Sequence, residues 1–288
     1  MVEDLHTEGV TVSLLCDTVE VSKSGYYAWL NRPESARALS NVVLLGRIRS
    51  LHAKSDETYG SPRITAKLQS EGHLCGENRV ARLMQKNAIA SESTKKFKIT
   101  TTDSNHDLPI AERIFETENV DAVMAPNQVW GGDITYIATG EGWLFLAIFL
   151  DLFTRKVVGF SCDDNMRVDL VLNALSMALG RQDVKDGELL AHTDRGSQYA
   201  AEDYRKRLAV AGIIASMSRK GNCYDNAHVE SFFHSLKTEL VYRRNFKTRR
   251  EAVQAIFEWI EVWYNRQRLH SSLGYVSPED YEKMELAS

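Results

Sequence analysis

Three acidic residues stand at positions where a carboxylate could take part in chemistry. Asp133 interrupts an apolar, β-branched segment, Asp194 follows a short apolar segment in HTDRGSQY, and Glu230 borders the apolar stripe of a predicted helix. Three carboxylates at one place repel one another and need a cationic partner. Mg²⁺ prefers oxygen ligands and keeps coordination positions open for phosphate oxygens. If the three acids meet, they predict a two-ion site for in-line phosphoryl transfer.

The helix that carries Glu230 holds its polar residues beside its apolar stripe and not opposite it. Its apolar residues have helical spacing and are Val229, Phe232, Phe233, Leu236 and Leu240. At about 100° per residue, Asn226, Glu230 and Lys237 fall within an arc of about 40° next to that stripe. An intrahelical contact between Glu230 and Lys237, with an N-terminal cap from Asp225 or Asn226, is the structural alternative.

Five predicted strands must position the first two acids. The segments QVWGGDITYIA, GWLFLAIFLDLF and RKVVGFSCD read as an antiparallel meander, and ELLAHTD and IIASMS read as later strands between helices. This order predicts an α/β fold with a mixed sheet. If the first and fourth strands are neighbours, Asp133 and Asp194 meet at one edge of the sheet. Taken singly, each acid could instead start a strand or cap a turn.

Helices are predicted before and after this sheet. Segments 10–17, 22–31 and 41–53 are helical, and a further helix begins with Ser61 as its N-cap and Pro62 at its first position. The basic helix GENRVARLMQKN follows, which gives a pattern typical of a helix-turn-helix module, although any three-helix bundle could show it. A long helix over 248–270 is predicted from the capping box of Thr248 and Glu251.

These elements divide the chain into five predicted regions. They are an N-terminal helical segment (1–40), a helix-turn-helix-like DNA-binding domain (41–92), a linker (93–127), an α/β core (128–242) and a C-terminal helical extension (243–288).

The charge distribution indicates a polyanionic partner. The formal net charge is −4, but residues 45–102 carry 11 Lys and Arg against 5 acids, residues 103–194 carry 6 against 16, and residues 195–268 carry 14 against 8. Two basic segments thus flank an acidic one. Phosphate groups of DNA would be held by the basic segments, while the acidic segment would hold metal. The alternative is that these blocks mix in space and the pattern carries no meaning.

Composition excludes several classes of protein. The apolar segment LFLAIFLDLF is shorter than the roughly 20 residues that a membrane span needs, and it contains Asp151. Residues 1–9 hold three acids and no Lys or Arg, which is unlike a signal peptide. The cysteines, Cys16, Cys75, Cys162 and Cys223, form no paired motif, so we expect reduced thiols in a cytoplasmic protein.

The motifs WGGDITYI, HTDRGSQY and GNCYDNAHVESFFHSLKTEL resemble the retroviral-integrase-like core of bacterial insertion-sequence transposases, specifically the second-reading-frame product of the IS-three group. Asp194 and Glu230 are separated by 35 residues, and Lys237 follows Glu230 by seven positions; both spacings are typical of that family. The resemblance extends to TYGSPRI, APNQVW and YNRQRLHSSLGYVSPEDY, and so covers nearly the whole chain.

The resemblance implies a ribonuclease-H-like core preceded by helical DNA-binding segments. It implies that Asp133, Asp194 and Glu230 are catalytic acids that bind Mg²⁺ or Mn²⁺ for DNA strand cleavage and joining. It also implies that Lys237 contacts transposon-end DNA, and Asn226 matches the YDNA stretch of the family. Members of the family also use an upstream-frame helix-turn-helix and leucine zipper joined by frameshift, and this chain has no heptad run.

Further DNA contacts are expected from the basic segments. These residues are Arg63, Arg79 and Arg82 in the first segment and Arg195, Arg219 and Lys220 in the second. For the first three, a solvated basic face is the alternative. The expected partners are double-stranded DNA, a second copy of the chain in a homodimer or larger assembly, and an upstream-frame protein or fusion. A nuclease that does not join strands and a non-catalytic DNA-binding regulator are the alternative functions.

Overall fold

The computed structural model describes residues 11–92, 108–115, 122–218 and 227–287. Its N-terminal part consists of helices α1 (Val12–Thr18), α2 (Lys23–Leu30), α3 (Ala36–Lys54), α4 (Ser61–Ser70) and α5 (Glu77–Lys86). Helices α3 to α5 enclose a small apolar core of their own around Ile48, Ile64 and Leu68. This is the helical region that the sequence predicts ahead of the sheet.

Local chemistry explains where these helices begin. The Ser35 hydroxyl accepts a hydrogen bond from the Ala38 amide at 3.1 Å, so α3 begins at Ala36 and not at residue 41 as the periodicity predicts. The prediction that Ser61 is an N-cap is wrong. Gly60 has the extended conformation of the N-cap, and Ser61 and Pro62 both lie inside the first turn of α4. Pro62 fits there because the first-turn amides have no intrahelical acceptor.

A five-stranded mixed sheet forms the centre of the molecule. Its strands are β1 (Val129–Thr139), β2 (Gly142–Asp151), β3 (Val157–Asp163), β4 (Leu190–Thr193) and β5 (Ile214–Met217), in the order β3-β2-β1-β4-β5. Strands β1 to β3 form an antiparallel meander, and β4 runs parallel to both β1 and β5. The predicted mixed sheet is confirmed, and the first and fourth strands are neighbours, which is the condition for Asp133 and Asp194 to meet.

Helices cover both faces of the sheet. They are α6 (Val168–Arg181), α7 (Ser197–Ala200), α8 (Glu202–Val210), α9 (Ala227–Glu239), α10 (Arg249–Glu258) and α11 (Pro278–Ala287). One buried cluster joins the sheet to α6 and α8, and another joins it to α9 and α10. The α9 face of the sheet is the one on which Glu230 must approach the strands.

The predicted long helix over 248–270 is wrong in its second half. Helix α10 ends at Glu258 and continues as a π-helical turn, Trp259–Tyr264. The wider turn brings the buried Asn265 side chain to the edge of β3, where it accepts a hydrogen bond from the Val157 amide at 2.9 Å and donates one to the Val157 carbonyl at 3.0 Å. This pairing replaces a missing strand partner, which a helical periodicity cannot indicate.

Part of the predicted linker packs on the core. Phe115 is buried beside His192, with ring centroids 5.4 Å apart, and the Ser216 hydroxyl accepts hydrogen bonds from the Ile114 and Phe115 amides. Residues 93–107 and 116–121 lie outside the described residues. Among the residues that the structure describes, no helix is both long and apolar enough to span a membrane.

Candidate active site

The register of β1 against β4 places two of the predicted acids side by side. Gly132 pairs with Thr193, and each is followed directly by an aspartate, Asp133 on β1 and Asp194 after the end of β4. Because the two strands are parallel, the aspartates leave the pairing at the same edge of the sheet. The predicted meeting of Asp133 and Asp194 therefore follows from strand pairing alone.

Gly132 permits this close pairing. A Cβ atom at residue 132 would lie 2.9 Å from Cε1 of Phe149 and 3.0 Å from Cγ2 of Thr193. The first neighbour is on β2 and the second is on β4, so a side chain would push β1 away from one of them. A glycine immediately before Asp133 keeps the strand, and hence its carboxylate, close to Asp194.

Asp133 occupies an environment that opposes its negative charge. Burial raises the pKa of Asp133 to about 8, and the Asp194 and Glu230 carboxylates contribute to this increase. The Ile134 amide, which donates to Oδ1 at 2.7 Å, and the Lys237 ammonium act in the opposite direction. The charges of Asp194 and Glu230 therefore both act on Asp133. A cation bound beside these carboxylates would favour the ionised form of Asp133.

Asp194 is held by the turn that follows β4. Its Oδ1 accepts a hydrogen bond from the Gly196 amide at 2.9 Å. The neighbouring Arg195 donates through Nε to the Ser218 carbonyl at 2.7 Å, at the end of β5. Arg195, predicted to contact DNA, therefore also joins the two loops at this edge of the sheet.

Glu230 lies in the first turn of α9 with its side chain exposed. The helix is anchored below it by the buried apolar residues Val229, Phe232, Phe233 and Leu236. Within the described ranges, no three His, Cys, Asp or Glu side chains are arranged to hold an ion as they stand. Glu230 is thus a charged neighbour of Asp133 and Asp194, but the three do not form a closed set of ligands.

Lys237 reaches back from α9 to the same strand. Its Nζ lies 5.1 Å from the centre of the Tyr136 ring on β1, within the range of a cation–π contact. Burial lowers the pKa of Lys237, and the charge of Asp133 opposes that shift. The ammonium group therefore provides positive charge beside the acidic site.

Sequence reasoning did not identify Tyr199, which lies near enough to Asp133 and Asp194 for their charges to act on it. The ring is buried in α7, and among the described residues its hydroxyl has no hydrogen-bond partner. Burial raises the pKa of Tyr199, and the Asp133 and Asp194 carboxylates raise it further. The available signal was its position in HTDRGSQY, five residues after Asp194.

The other residues that are predicted to contact DNA lie in different surroundings. Arg63 donates through Nε to the Leu269 carbonyl at 3.0 Å, and Arg79 donates to the side chains of Asn41 and Ser40 at 2.9 Å. Arg82 is exposed on α5. Three predicted residues, Asn226, Arg219 and Lys220, lie outside the described residues.

A ribonuclease-H-like sheet with two aspartates side by side where the pairing of β1 with β4 ends is typical of the class of integrase-core nucleotidyl transferases. Models of the integrase core domain match residues 124–223 and 230–286, and a model of an HTH-like domain matches residues 40–97. These matches include all three predicted acids and the helical region before the sheet. They confirm the predicted architecture.

The chain belongs to the family of insertion-sequence transposases of the IS3 type, and it is a DNA transposase. It is 37% identical to the transposase InsF for insertion sequence IS3A of Escherichia coli (strain K12), over 98% of this chain and 97% of that protein. It is 43% identical to the insertion element IS600 uncharacterized 31 kDa protein of Shigella sonnei, over 94% of this chain and 99% of that protein. The family predicted from the motifs is thus confirmed over nearly the full length.

Two solved structures give more distant similarities. One is the simian T-cell lymphotropic virus intasome in complex with PP2A regulatory subunit B56 gamma, with a TM-score of 0.47, 15% identity and coverage of 82% of this chain and 74% of that chain. The other is the HTLV-2 integrase catalytic core domain in complex with magnesium, with a TM-score of 0.42, 16% identity and coverage of 55% of this chain and 98% of that chain.

Proposed function

We propose that Asp133, Asp194 and Glu230 are the catalytic acids of this transposase and that they bind Mg²⁺ or Mn²⁺. The observation that carries the proposal is the pairing of β1 with β4, which brings Asp133 beside Asp194. Burial raises the pKa of Asp133, and the Asp194 carboxylate adds to the increase. A carboxylate whose ionised form is disfavoured by other carboxylates is relieved by a cation.

The donors fit such an ion. All three side chains offer carboxylate oxygens, the ligands that Mg²⁺ and Mn²⁺ accept most readily. Another buried aspartate shows the contrast. Asp151 accepts hydrogen bonds from the Asn127, Phe153 and Thr154 amides at 2.7 to 3.0 Å, so its oxygens are already occupied. Asp133 has one such bond, from Ile134, among the described residues.

Glu230 completes the set by a side-chain movement. Its backbone is fixed by the buried stripe of α9, while its side chain is exposed and has three rotatable bonds. We infer that Glu230 turns toward Asp133 when positive charge enters the site. The two aspartates, set by strand pairing, would bind first and the glutamate would follow.

The chemistry is in-line phosphoryl transfer. When bound, a pair of divalent ions polarises the scissile phosphate and stabilises both the attacking and the leaving oxygen. Water as the nucleophile gives strand cleavage, and the released 3′-hydroxyl as the nucleophile gives joining to a second strand. The role of this chain is to hold the three carboxylates at one edge of the sheet and to place the Lys237 ammonium beside them.

The proposed partners follow from the basic regions. Double-stranded DNA would contact Lys237, Asn226, Arg195, Arg219, Lys220, Arg63, Arg79 and Arg82. Two transposon ends require two active sites, so we propose a homodimer or larger assembly on DNA, with an upstream-frame protein or fusion as a further partner. The proposed location is the bacterial cytoplasm, on the nucleoid when bound to DNA.

A cleavage and joining assay tests this proposal. Purified protein is incubated with labelled insertion-sequence ends, target DNA and Mg²⁺. The Glu230→Gln variant should lose cleavage and joining by roughly a hundredfold or more, the scale seen when a group that stabilises transition-state charge is removed. Glu258→Gln, an exposed glutamate on α10, is the matched control and should retain activity.

Two outcomes would contradict parts of the proposal. Full Mg²⁺-dependent cleavage by Glu230→Gln would remove Glu230 from the catalytic set. Cleavage by the wild-type protein with no joined product, under conditions in which the 3′-hydroxyl and target DNA are both present, would identify a nuclease that does not transfer strands.

A further inference from the structure

The helical region, which comprises helices α3 to α5 and the turns that follow them, is hydrogen-bonded directly to the C-terminal segment, residues 243–288. The Tyr59 hydroxyl accepts a hydrogen bond from the Leu269 amide at 2.8 Å, and Arg63 donates through Nε to the Leu269 carbonyl at 3.0 Å. Both backbone polar groups of one residue are therefore held by side chains from a region more than 200 positions earlier in the sequence. The helical region and the C-terminal segment are therefore joined by direct contacts as well as by the polypeptide between them.

Apolar contacts strengthen the same junction. Leu269 is buried in the core of helices α3 to α5, together with Ile48 and Leu68. The rings of Tyr59 and Trp263 lie 5.5 Å apart. The C-terminal segment thus completes the core of the helical region.

The residue next to this junction holds helix α9. Arg268 donates through Nη2 to Glu239 at 2.7 Å and to the Ser235 hydroxyl at 3.2 Å, both on α9. The side chains of Arg268 and Glu239 are 4% and 9% exposed, so water screens this ion pair weakly. Glu239 lies two residues after Lys237 and about two and a half helical turns after Glu230.

A second connection forms where α9 ends. Arg243 lies 3.4 Å from the Asp56 carboxylate and 3.2 Å from the Glu92 carboxylate, and it also donates to the Asp56 carbonyl. Asp56 and Glu57 have positive φ angles of 51° and 61°, so the turn after α3 is bent at this contact. The helical region therefore contacts Leu269 at one point and the turn that follows α9 at another.

We propose that Tyr59 and Arg243 are positioning residues that set the distance between the DNA held by the helical region and the active site. The inference rests on the proposed function. A rigid junction presents one phosphodiester bond of the bound end to Asp133, Asp194 and Glu230. A flexible junction would present several neighbouring bonds.

Mapping the cleavage position tests the proposal. The Tyr59→Phe/Arg243→Met variant removes one hydroxyl and one charge, and Tyr27→Phe/Arg244→Met, with both residues exposed, is the matched control. On insertion-sequence ends with Mg²⁺, wild type and control should cut at one phosphodiester bond. The variant should spread its cuts over neighbouring bonds while its affinity for the end stays unchanged.

A second test uses insertion-sequence ends with one base pair inserted between the DNA held by the helical region and the bond that is cut. The insertion displaces the scissile bond by about 3.4 Å along the strand. A rigid junction should then cost the wild type about tenfold or more in cleavage at the original bond, because displacements of this size misalign the reacting atoms. The Tyr59→Phe/Arg243→Met variant should lose a distinctly smaller factor in cleavage at the original bond. Equal losses in the two proteins, or single-position cutting by the variant, would overturn the proposal.

Calorimetric unfolding provides a readout that needs no activity. Wild type and control should unfold in one transition, and the variant should show a separate, earlier transition for the helical region. A variant that unfolds in one transition at the wild-type temperature would also contradict the proposed rigid junction. If the wild type cuts no DNA while the transitions separate as expected, the proposed function fails and the junction stands.

Discussion

At the scale of the residue, two aspartates of the central sheet show how surroundings decide a role. Asp151 is 1% exposed and is surrounded by hydrogen-bond donors, including the Asn127 amide and the Thr154 amide and hydroxyl. Asp133 instead faces two other carboxylates, and its pKa is raised to about 8. Burial raises the pKa of both aspartates, and at Asp151 the hydrogen bonds from these donors act against the increase. Asp151 therefore holds a turn through hydrogen bonds, whereas Asp133 contributes to a site that attracts cations.

The stability of the metal-free protein should depend on Asp133 in a defined pH window. An aspartate in an unfolded chain has a pKa near 3.9. Since the folded pKa is higher, the folded protein retains a proton that the unfolded chain releases, and stability is lost as the pH rises from about 4 to about 8. Asp133→Asn should remove this loss. In EDTA, its melting temperature should exceed that of wild type at pH 8 but not at pH 4.

Mg²⁺ should reverse the order of the melting temperatures of wild type and Asp133→Asn. Added at pH 8, it should raise the melting temperature of wild type and leave that of Asp133→Asn unchanged, because an ion that binds only the folded state stabilises it. Asp151→Asn is the control and should destabilise the protein by about 1–3 kcal/mol at both pH values, since its amide nitrogen faces amide donors. A wild-type melting temperature that does not respond to pH or Mg²⁺ would contradict the account.

The sequence alone singles out the three acids as candidates, but it does not reveal their surroundings. Asp133 lies inside the first predicted strand and Asp194 directly follows the fourth, so their approach depends on strand order and register. Arg63 has the same local pattern as any basic residue on a helix, yet it donates to Leu269, which is distant in sequence. Such a contact depends on packing between regions, which neither periodicity nor charge reveals.

At the scale of the element, the pairing of β1 with β4 determines the site. The strands share four paired positions, from Val129 with Leu190 to Gly132 with Thr193. The pairing ends just before the two aspartates, so small displacements at Gly132 move Asp133 directly. The site therefore depends on a glycine that makes no chemical contribution itself.

Gly132→Ala should separate the two aspartates. Its methyl group would lie within 3.0 Å of both Phe149 and Thr193, and β1 must shift to relieve the contact. Cleavage should fall by about tenfold or more, while the folded structure is retained at lower stability. Gly180→Ala is the control, because a Cβ there meets no atom within 4 Å, and it should leave cleavage unchanged. Full cleavage activity of Gly132→Ala, measured on transposon ends, would show that the strand register is not critical.

Element boundaries were less predictable than element types. The capping box was correctly placed at Thr248, whose hydroxyl accepts from the Glu251 amide at 3.1 Å. The π-helical turn at Trp259–Tyr264 is not predictable from local sequence, and it directly precedes Asn265, which pairs with Val157 on a strand distant in sequence. Local signals set where a helix starts, and tertiary contacts set where this one changes.

At the scale of the whole molecule, the C-terminal segment unites parts that the sequence presents as separate regions. Phe246, Ile256 and Trp259 belong to the main buried cluster on the α9 face of the sheet, while Leu269 belongs to the core of the helical region. Arg268 joins the two through Glu239. The predicted division of the chain into five regions follows the order of the sequence and does not show that the last part contacts the others.

Arg268→Met should destabilise the whole protein. It leaves Glu239 buried without its cation, which costs about 3–5 kcal/mol in comparable buried pairs. Adding Glu239→Met should recover much of that loss, because no isolated charge remains. Denaturant unfolding measures both. Lys206→Met, which breaks an exposed pair with Glu202, is the control and should leave the midpoint unchanged. A midpoint for Arg268→Met equal to that of wild type would show that the pair has no structural importance.

The central claim is that Asp133, Asp194 and Glu230 gather around divalent metal, and anomalous diffraction from crystals grown with Mn²⁺ and a transposon-end DNA tests it most directly. The account predicts manganese between the Asp133 and Asp194 carboxylates, with the Glu230 side chain turned toward them. Saturating Mn²⁺ that leaves the space between the aspartates without an anomalous peak, or a bound ion with Glu230 still directed to solvent, would contradict it.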